Sequence, residues 1–261
     1  MSDNGPGTEN EHYHPLATGE VPFAITKTFD SYLYGILLLS SAFVPGVIPR
    51  LFVIGGSIIT YLYTVHLKPK TWIKNISCAS LVEISPLTSG LAAWQVLCDG
   101  TFLNSQGVSL ASSLPFYLIF KSSLSYLVIS LFFGIFSREV LMDVTDYEGD
   151  SQAGIETVPV KYGKKFSSTV AVVCSFVSAL SACAASLIPL ICTRQELSIK
   201  WSISLLSNST IRKALLAILG SGMMVQRVFS VWSTGGEDSK LAERAIRQSS
   251  LFTVLILASF V

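Results

Sequence analysis

Long apolar segments follow one another along most of the chain, separated by short polar stretches. From Ser31 onward each segment is about 17 to 28 residues long, and a helix needs about 20 to cross the hydrocarbon core of a bilayer. The pattern therefore predicts an all-α, multi-pass transmembrane helix bundle. Residues 1–29 form a polar N-terminal segment and residues 30–261 one transmembrane helical domain. About seven spans are expected, at 31–48, 50–66, 75–97, 115–142, 166–191, 212–232 and 245–261.

Composition supports an integral membrane protein. Of the 261 residues, 50% are hydrophobic and only 13% are charged, whereas a soluble domain carries about 25% charged residues. The mean hydropathy is +0.56. A net charge of +1 gives no basic field, so no nucleic-acid partner is expected. The five cysteines lie in or beside apolar runs without a CxxC spacing, which indicates packing residues rather than metal ligands.

The number of spans decides which loops share a side of the membrane. We call the side that holds the N-terminus the N-side. Loops 67–74, 142–165 and 233–247 then also lie on the N-side. Twelve basic residues fall at or near it against six on the other side, so the positive-inside rule makes it the cytoplasm-like side.

Three aspartates end the fourth span, where Asp143, Asp146 and Asp150 are spaced i, i+3 and i+7. On a continuous helix this spacing puts the three carboxylates on one face. Like charges at a helix C-terminus are unfavourable, and a hard cation with oxygen ligands would relieve them. Mg²⁺ suits such a site because it takes one or two carboxylates together with substrate phosphates. The alternative is a solvated helix end that carries three acids by chance.

The topology brings this acidic helix end and the lysine-rich loop 67–74 to the same face of the membrane. Acids and lysines at the mouth of an apolar bundle favour a substrate with an anionic head and an apolar tail, such as a prenyl diphosphate. Lys68 or Lys70 would neutralise charge on the leaving group. Aromatic faces could stabilise an allylic cation, although packing is the commoner role of any single ring. The candidates are Tyr61, Tyr63, Trp72, Trp94, Phe120, Tyr126 and Phe132.

Other charged residues near the acidic helix end leave two interpretations open. Arg138 and Glu139 lie one turn before Asp143 and either extend the site or form an ion pair with each other. Glu83, alone in the third span, either contacts the acceptor or bonds a neighbouring helix. Lys161 lies in the turn-rich segment 153–163 and could cover a bound diphosphate, while a positive-inside lysine is an equally good explanation.

These residues resemble the UbiA superfamily of intramembrane prenyltransferases. The stretch REVLMDVTDYEGDSQAGIETVPVKYG resembles that family's second aspartate-rich motif, D-x-x-D-x-x-x-D. It is most similar to members that prenylate homogentisate-type rings, chlorophyllide or glycerol phosphates. The stretch YLYTVHLKPKTWIKN resembles the family's segment of a tyrosine, then Leu-Lys, then Asn.

The resemblance implies Mg²⁺-dependent transfer of a prenyl group from a prenyl diphosphate to a lipid-phase acceptor. The acceptor is expected to be aromatic, like homogentisate, hydroxybenzoate or chlorophyllide, in lipid-quinone, tocopherol or pigment biosynthesis. The expected metal ligands and catalytic residues are Asp143, Asp146 and Asp150, with Lys68 as a further catalytic residue. The expected substrate-binding residues are Lys68, Asn75, Tyr63, Tyr147 and Lys161.

The N-terminal part departs from the family pattern. The family's first motif, N-D-x-x-D-x-x-x-D, should precede an Arg-Pro-Leu-x-x-Gly segment, and here residues 14–19 read HPLATG. Most of the first motif is missing, as are the two helices expected before it, since the family has nine spans. A truncated, non-catalytic UbiA-like membrane protein is therefore the alternative function. The location is an integral membrane, with plastid and mitochondrial membranes both left open.

Overall fold

The computed structural model describes residues 22–67, 71–99, 123–192 and 209–260. Within these ranges the chain forms nine α-helices, α1 to α9, and a π-helical turn at Tyr63–Leu67 that continues α2. The helices are α1 Phe23–Ser41, α2 Val47–Leu62, α3 Thr71–Asp99, α4 Ser123–Thr145, α5 Tyr147–Gln152, α6 Val158–Tyr162, α7 Lys164–Cys192, α8 Ser209–Ser233 and α9 Ser239–Phe260. The all-α fold predicted from the hydrophobic pattern is confirmed.

Each predicted span overlaps one of the seven longer helices. Residues 115–122 of the fourth span lie outside the described residues. By length and composition, three described segments could cross a membrane, namely Thr71–Ala93, Lys164–Ile188 and Thr210–Ser233, and Val47–Leu62 is a shorter apolar helix. These helices agree with an integral, multi-pass membrane protein.

The first helix begins and ends earlier in the chain than the predicted span 31–48. Helix α1 begins at Phe23, inside the segment expected to be polar and mixed, and ends at Ser41. Thr28 and Ser31 are accommodated because their hydroxyls donate to helix carbonyls four residues earlier. The turn between the first two helices falls at residues 42–46 rather than at residue 49, where the predicted spans 31–48 and 50–66 meet, and Gly46 supplies its positive φ of 85°. Pro49 instead lies in the first turn of α2, where its missing N–H costs nothing.

Helices α4 and α7 pack together through small and hydroxyl side chains. Ser178 Oγ donates to the Ser130 carbonyl at 2.7 Å, and Ser137 Oγ donates to the Ala171 carbonyl at 2.8 Å. A Cβ atom on Gly134 would lie 3.2 Å from Ser178 Oγ, so the glycine permits the close approach. Small residues and hydroxyls are what bring helices together in a bilayer, where apolar surface alone gives no preference for protein over lipid.

The main core lies at the N-side half of the bundle, where α3, α4, α7, α8 and α9 meet. Val140 and Leu141 of α4 are buried against Ala171 of α7, Val231 of α8 and Ala242 of α9. Val140 and Leu141 precede Asp143 by three and two residues, so the core lies directly beside the acidic end of α4. Helix α4 is therefore held on several sides where it delivers its acidic end to the membrane surface.

Candidate functional site

The site begins with Asp143, two residues before α4 ends. Its side chain is completely buried. Lys74 Nζ lies 2.6 Å from Asp143 Oδ1, and Asn75 Nδ2 donates to Asp143 Oδ2 at 2.9 Å. Both partners belong to the first turns of α3. The predicted meeting of loop 67–74 with the acidic helix end is therefore confirmed by direct contact.

The start of α3 is tied to the segment that follows the aspartates. Thr71 Oγ1 donates to the Glu156 carbonyl at 2.5 Å. The indole of Trp72 stacks on Phe136 of α4 at 6.3 Å between ring centroids and also contacts Tyr162. These contacts fix the position of α3 relative to α4, and they place Lys74 and Asn75 on Asp143.

The three aspartates do not form the single helical stripe predicted from their spacing. Helix α4 ends at Thr145, and Asp146 has φ −88° and ψ 3° before the short helix α5 begins. Asp146 N still donates to Met142 O at 3.0 Å and Asp150 N to Asp146 O at 2.9 Å, so hydrogen bonds lie on both sides of the break between the two helices. Within the ranges that the structure describes, no three His, Cys, Asp or Glu side chains converge closely enough to hold a metal ion.

Electrostatics nevertheless link the aspartates. Burial raises the pKa of Asp150, Lys74 lowers it in part, and the carboxylates of Asp146 and Asp143 raise it further. Asp146 reaches the surface, yet enough protein surrounds its carboxyl group that burial raises this pKa as well, against an opposing effect of Lys74. One lysine therefore interacts with all three acids.

Two buried oxygen atoms near Lys74 and Asp143 have no hydrogen-bond donor in the described part of the chain. They are Asp150 Oδ2 and Asn75 Oδ1. Unpaired buried acceptors are costly. The Thr157 hydroxyl, which lowers the pKa of Asp150 as a hydrogen-bond donor, is available to that carboxylate, so Asn75 Oδ1 is the clearer sign of a missing donor or cation. Because both oxygens of Asp143 are already engaged, Asp146 and Asp150 are, of the three aspartates, the two with an oxygen left to ligate a cation. Two carboxylates completed by water and phosphate oxygens fit Mg²⁺.

Lys164, at the start of α7, contacts both α5 and the turn between α8 and α9. Its Nζ lies 3.3 Å from Glu148 Oε1 and 3.5 Å from Glu237 Oε2, and it stands 4.5 Å from the ring centroid of Tyr147. Tyr147, a predicted substrate-binding residue, is thus covered by a lysine. Lys161, another, pairs with Glu156 at 3.4 Å on the exposed surface.

The remaining predicted residues have mixed outcomes. Lys68, with Lys70, lies outside the described residues. Tyr63 lies close enough to Lys74, Glu139 and Asp143 to interact with their charges. Arg138 and Glu139 form an ion pair at 3.4 Å, which is one of the two interpretations that the sequence left open for them.

The residue that sequence reasoning missed is Lys74. It counted only as one of several N-side lysines, yet it is the cation that contacts Asp143. A signal was available, since Lys74 directly precedes Asn75, which the family resemblance had already placed at the site.

Comparison with known proteins gives consistent relatives. Digeranylgeranylglyceryl phosphate synthase of Pyrococcus horikoshii is 26% identical over 159 residues, covering 61% of this chain and 46% of that protein. The enzyme of that name from Sulfolobus acidocaldarius is 28% identical over 157 residues, covering 60% and 48%. The chain thus spans about half the length of the curated relatives it matches.

A solved structure, from work on digeranylgeranylglyceryl phosphate synthase in membranes, resembles the fold. It has a TM-score of 0.62 and 19% sequence identity, and it covers 96% of this chain and 73% of that one. The UbiA prenyltransferase family matches residues 2–229. Since this match covers most of the chain, including the three aspartates, Lys74 and Asn75, the chain belongs to the UbiA prenyltransferase family.

Proposed function

We propose that the chain transfers a prenyl group from a prenyl diphosphate to a lipid-phase acceptor at the N-side surface of the membrane. The observation that supports this most directly is the contact of Lys74 and Asn75 with Asp143, because it joins the two segments that resemble the family motifs. Asp146 and Asp150 follow Asp143 in the chain and lie at the same N-side surface of the membrane. The apolar bundle beneath them offers the prenyl chain a dry environment.

In the reaction, the bond between the prenyl C1 and the diphosphate oxygen breaks and the diphosphate leaves with the electron pair. A new bond forms between C1 and the acceptor oxygen, which releases one proton. A Mg²⁺ ion, held by Asp146 and Asp150 when bound, would supply Lewis-acid stabilisation of the leaving group. The contact with Lys74 fixes the position of Asp143, so the following turn presents Asp146 and Asp150 in fixed positions.

The acceptor we propose is a glyceryl phosphate lipid. The aromatic acceptors expected from the sequence find no support among the relatives reported above, whose names describe a glyceryl phosphate that carries two geranylgeranyl groups. A lipid that already carries one such chain would lie in the bilayer with its hydroxyl near the N-side surface. The proposed product is an ether lipid rather than a prenylated ring.

The test uses the full chain purified in detergent or in proteoliposomes. It is incubated with geranylgeranyl diphosphate, Mg²⁺ and either geranylgeranylglyceryl phosphate or homogentisate, and the products are separated by chromatography. The proposal expects an ether-lipid product that disappears when EDTA replaces Mg²⁺ or when Asp146→Ala is used. Equal product formation by Asp146→Ala would refute the assignment of the aspartates, and product with homogentisate alone would refute the acceptor.

A second function is favoured by one observation, the ion pair that neutralises Asp143 from within the protein. A site that carries its own counter-ion could bind a prenyl diphosphate without turning it over. Binding of geranylgeranyl diphosphate to the purified chain, with no product from any of the acceptors above, would select this non-catalytic role. Turnover would exclude it.

A further inference from the structure

A cavity with a basic lining lies between α8 and α9. Its volume is about 600 Å³, and we call it the basic groove. One lining side chain comes from α8. The other five lie on one face of α9, three, four, seven and eight residues after the first of them. The lining residues are Arg227, Lys240, Glu243, Arg244, Arg247 and Gln248.

Among the described residues, no acid forms an ion pair with the cations of the basic groove. Four cations face one carboxylate, which gives the lining a net charge of +3. Within the described ranges the ion pairs involve Lys74, Arg138, Lys161 and Lys164, and none involves a cation of the basic groove. Like charges gathered on one surface repel, so the arrangement favours an anionic ligand from outside.

Two of the four cations, Arg227 and Arg247, lie deeper than ordinary loop lysines. Arg227 lies six residues before the end of α8 and Arg247 eight residues after the start of α9, so both stand about 9 to 12 Å from the connecting turn at 1.5 Å per residue. The two helices are antiparallel neighbours, and the two arginines therefore lie at a similar level. Two guanidinium groups at the same height along neighbouring helices can each donate paired hydrogen bonds to one phosphate.

Exposed apolar side chains continue the basic groove toward the membrane interior. On α8, four and eight residues before Arg227, Met223 and Leu219 are 41% and 56% exposed. On α9, four and seven residues after Arg247, Leu251 and Val254 are 55% and 59% exposed. Residues at these spacings share the helix face of the arginines. Cations above an apolar strip match a phosphate headgroup above hydrocarbon chains.

The basic groove opens on the N-side. Glu237, in the turn between α8 and α9, lies 3.5 Å from Lys164, which also contacts Glu148 beside the aspartates. This is the membrane face with the excess of basic residues. Basic pockets between transmembrane helices on that face bind anionic lipid headgroups in other proteins.

We propose that the basic groove binds an anionic phospholipid of the phosphatidic acid class, with its phosphate monoester between Arg227 and Arg247. A monoester carries about −1.5 to −2 charges and three acceptor oxygens, so it matches the lining better than a zwitterionic headgroup does. Its two chains would lie along Met223 and Leu251. The proposal concerns side chains other than the aspartates. The proposed product of the transfer reaction is itself a phosphate monoester with two chains, so the loss of binding in Arg227→Gln/Arg247→Gln is what distinguishes the basic groove from the aspartate site.

The experiment measures lipid binding to the full chain in detergent micelles by native mass spectrometry. The probes are dioleoyl phosphatidic acid, dioleoyl phosphatidylcholine and inorganic phosphate. Phosphatidic acid should bind about tenfold more tightly than phosphatidylcholine, and Arg227→Gln/Arg247→Gln should lose about that factor. Lys27→Gln/Lys165→Gln is the matched control, because it removes two exposed N-side charges outside the basic groove.

Equal losses of phosphatidic acid binding in the two double variants would overturn the proposal, because a general surface charge would then explain the binding. Inorganic phosphate that displaces the lipid at equal concentration would also overturn it, because the apolar strip would then contribute nothing. If the double arginine variant does not fold, Arg244→Gln replaces it. That single change should weaken binding about threefold while Lys165→Gln should not, and no difference between them contradicts the proposal.

Discussion

Lys74 Nζ lies 2.6 Å from Asp143 Oδ1, and Asp143 is completely buried. The first aspartate of the acidic motif therefore carries a counter-ion that belongs to another helix. A buried ion pair contributes little net stability, because desolvation opposes the attraction, but the loss of one partner leaves an uncompensated charge. The pair consequently makes the position of α3 a condition for a stable acidic helix end.

Replacing the lysine tests this dependence. Lys74→Met should lower the free energy of unfolding by about 3 kcal/mol, because the buried Asp143 would lose its counter-ion and keep only the hydrogen bond from Asn75. Thermal unfolding in detergent measures the change. Lys165→Met, at an exposed lysine, should change stability by less than about 0.5 kcal/mol. Lys74→Met/Asp143→Asn should recover part of the loss, and a double variant no more stable than Lys74→Met would contradict the ion-pair explanation.

The three aspartates differ in how many of their oxygens are already bonded, and this difference gives a second prediction. Asp150→Asn should weaken Mg²⁺ binding about tenfold, because a carboxylate with a free oxygen is lost from a site that offers few others. The measurement is the Mg²⁺ concentration that raises the melting temperature halfway, with EDTA as the metal-free reference. Glu148→Gln is the control, because this neighbouring carboxylate is 72% exposed and pairs with Lys164. Equal effects of the two substitutions would show that only the net charge matters.

The raised pKa values of Asp146 and Asp150 predict a pH dependence in the absence of metal. Burial disfavours the ionised form, so the folded-state pKa of each lies above its ordinary value of 3.8. Their stabilising contribution is therefore complete below that ordinary pKa and is lost as the pH rises through the raised values. In EDTA, the stability of the wild type relative to Asp146→Asn/Asp150→Asn should fall as the pH rises through this window. A difference that is constant with pH would exclude burial as the cause.

Much of the bundle could be predicted because its determinants are local. The length and hydropathy of each apolar run suffice to place a helix, and they do not depend on what the helix packs against. The predicted ends of helices were wrong where a residue such as proline is compatible with both a loop and the first turn of a helix. Pro159 was interpreted as part of a loop, yet it occupies an early position of α6, where proline is compatible with a helix. Gly154 and Gly163, with φ of 69° and 90°, do form the expected turns.

The site was less predictable because it depends on contacts between distant segments. The spacing of Asp143, Asp146 and Asp150 is the same on a straight helix as on one that bends at Asp146, so the sequence alone favoured the stripe. The choice of Lys74 as the partner follows from the position of α3. That position depends on Thr71 bonding to Glu156 and on Trp72 stacking against Phe136.

The close approach of α4 and α7 gives a final prediction at Gly134. A leucine there would meet Ser178, since even a Cβ atom would lie 3.2 Å from Ser178 Oγ. Gly134→Leu should destabilise the bundle by about 1 to 3 kcal/mol through overpacking. Gly222 of α8 is the matched control, because a Cβ atom there meets nothing within 4 Å, and Gly222→Leu should unfold near the wild-type temperature. Similar melting temperatures for the two leucine variants would mean that the helices can separate at little cost. The hydroxyl bonds of Ser130 and Ser178, each worth about 0.6 kcal/mol in membrane proteins, would then not determine their spacing.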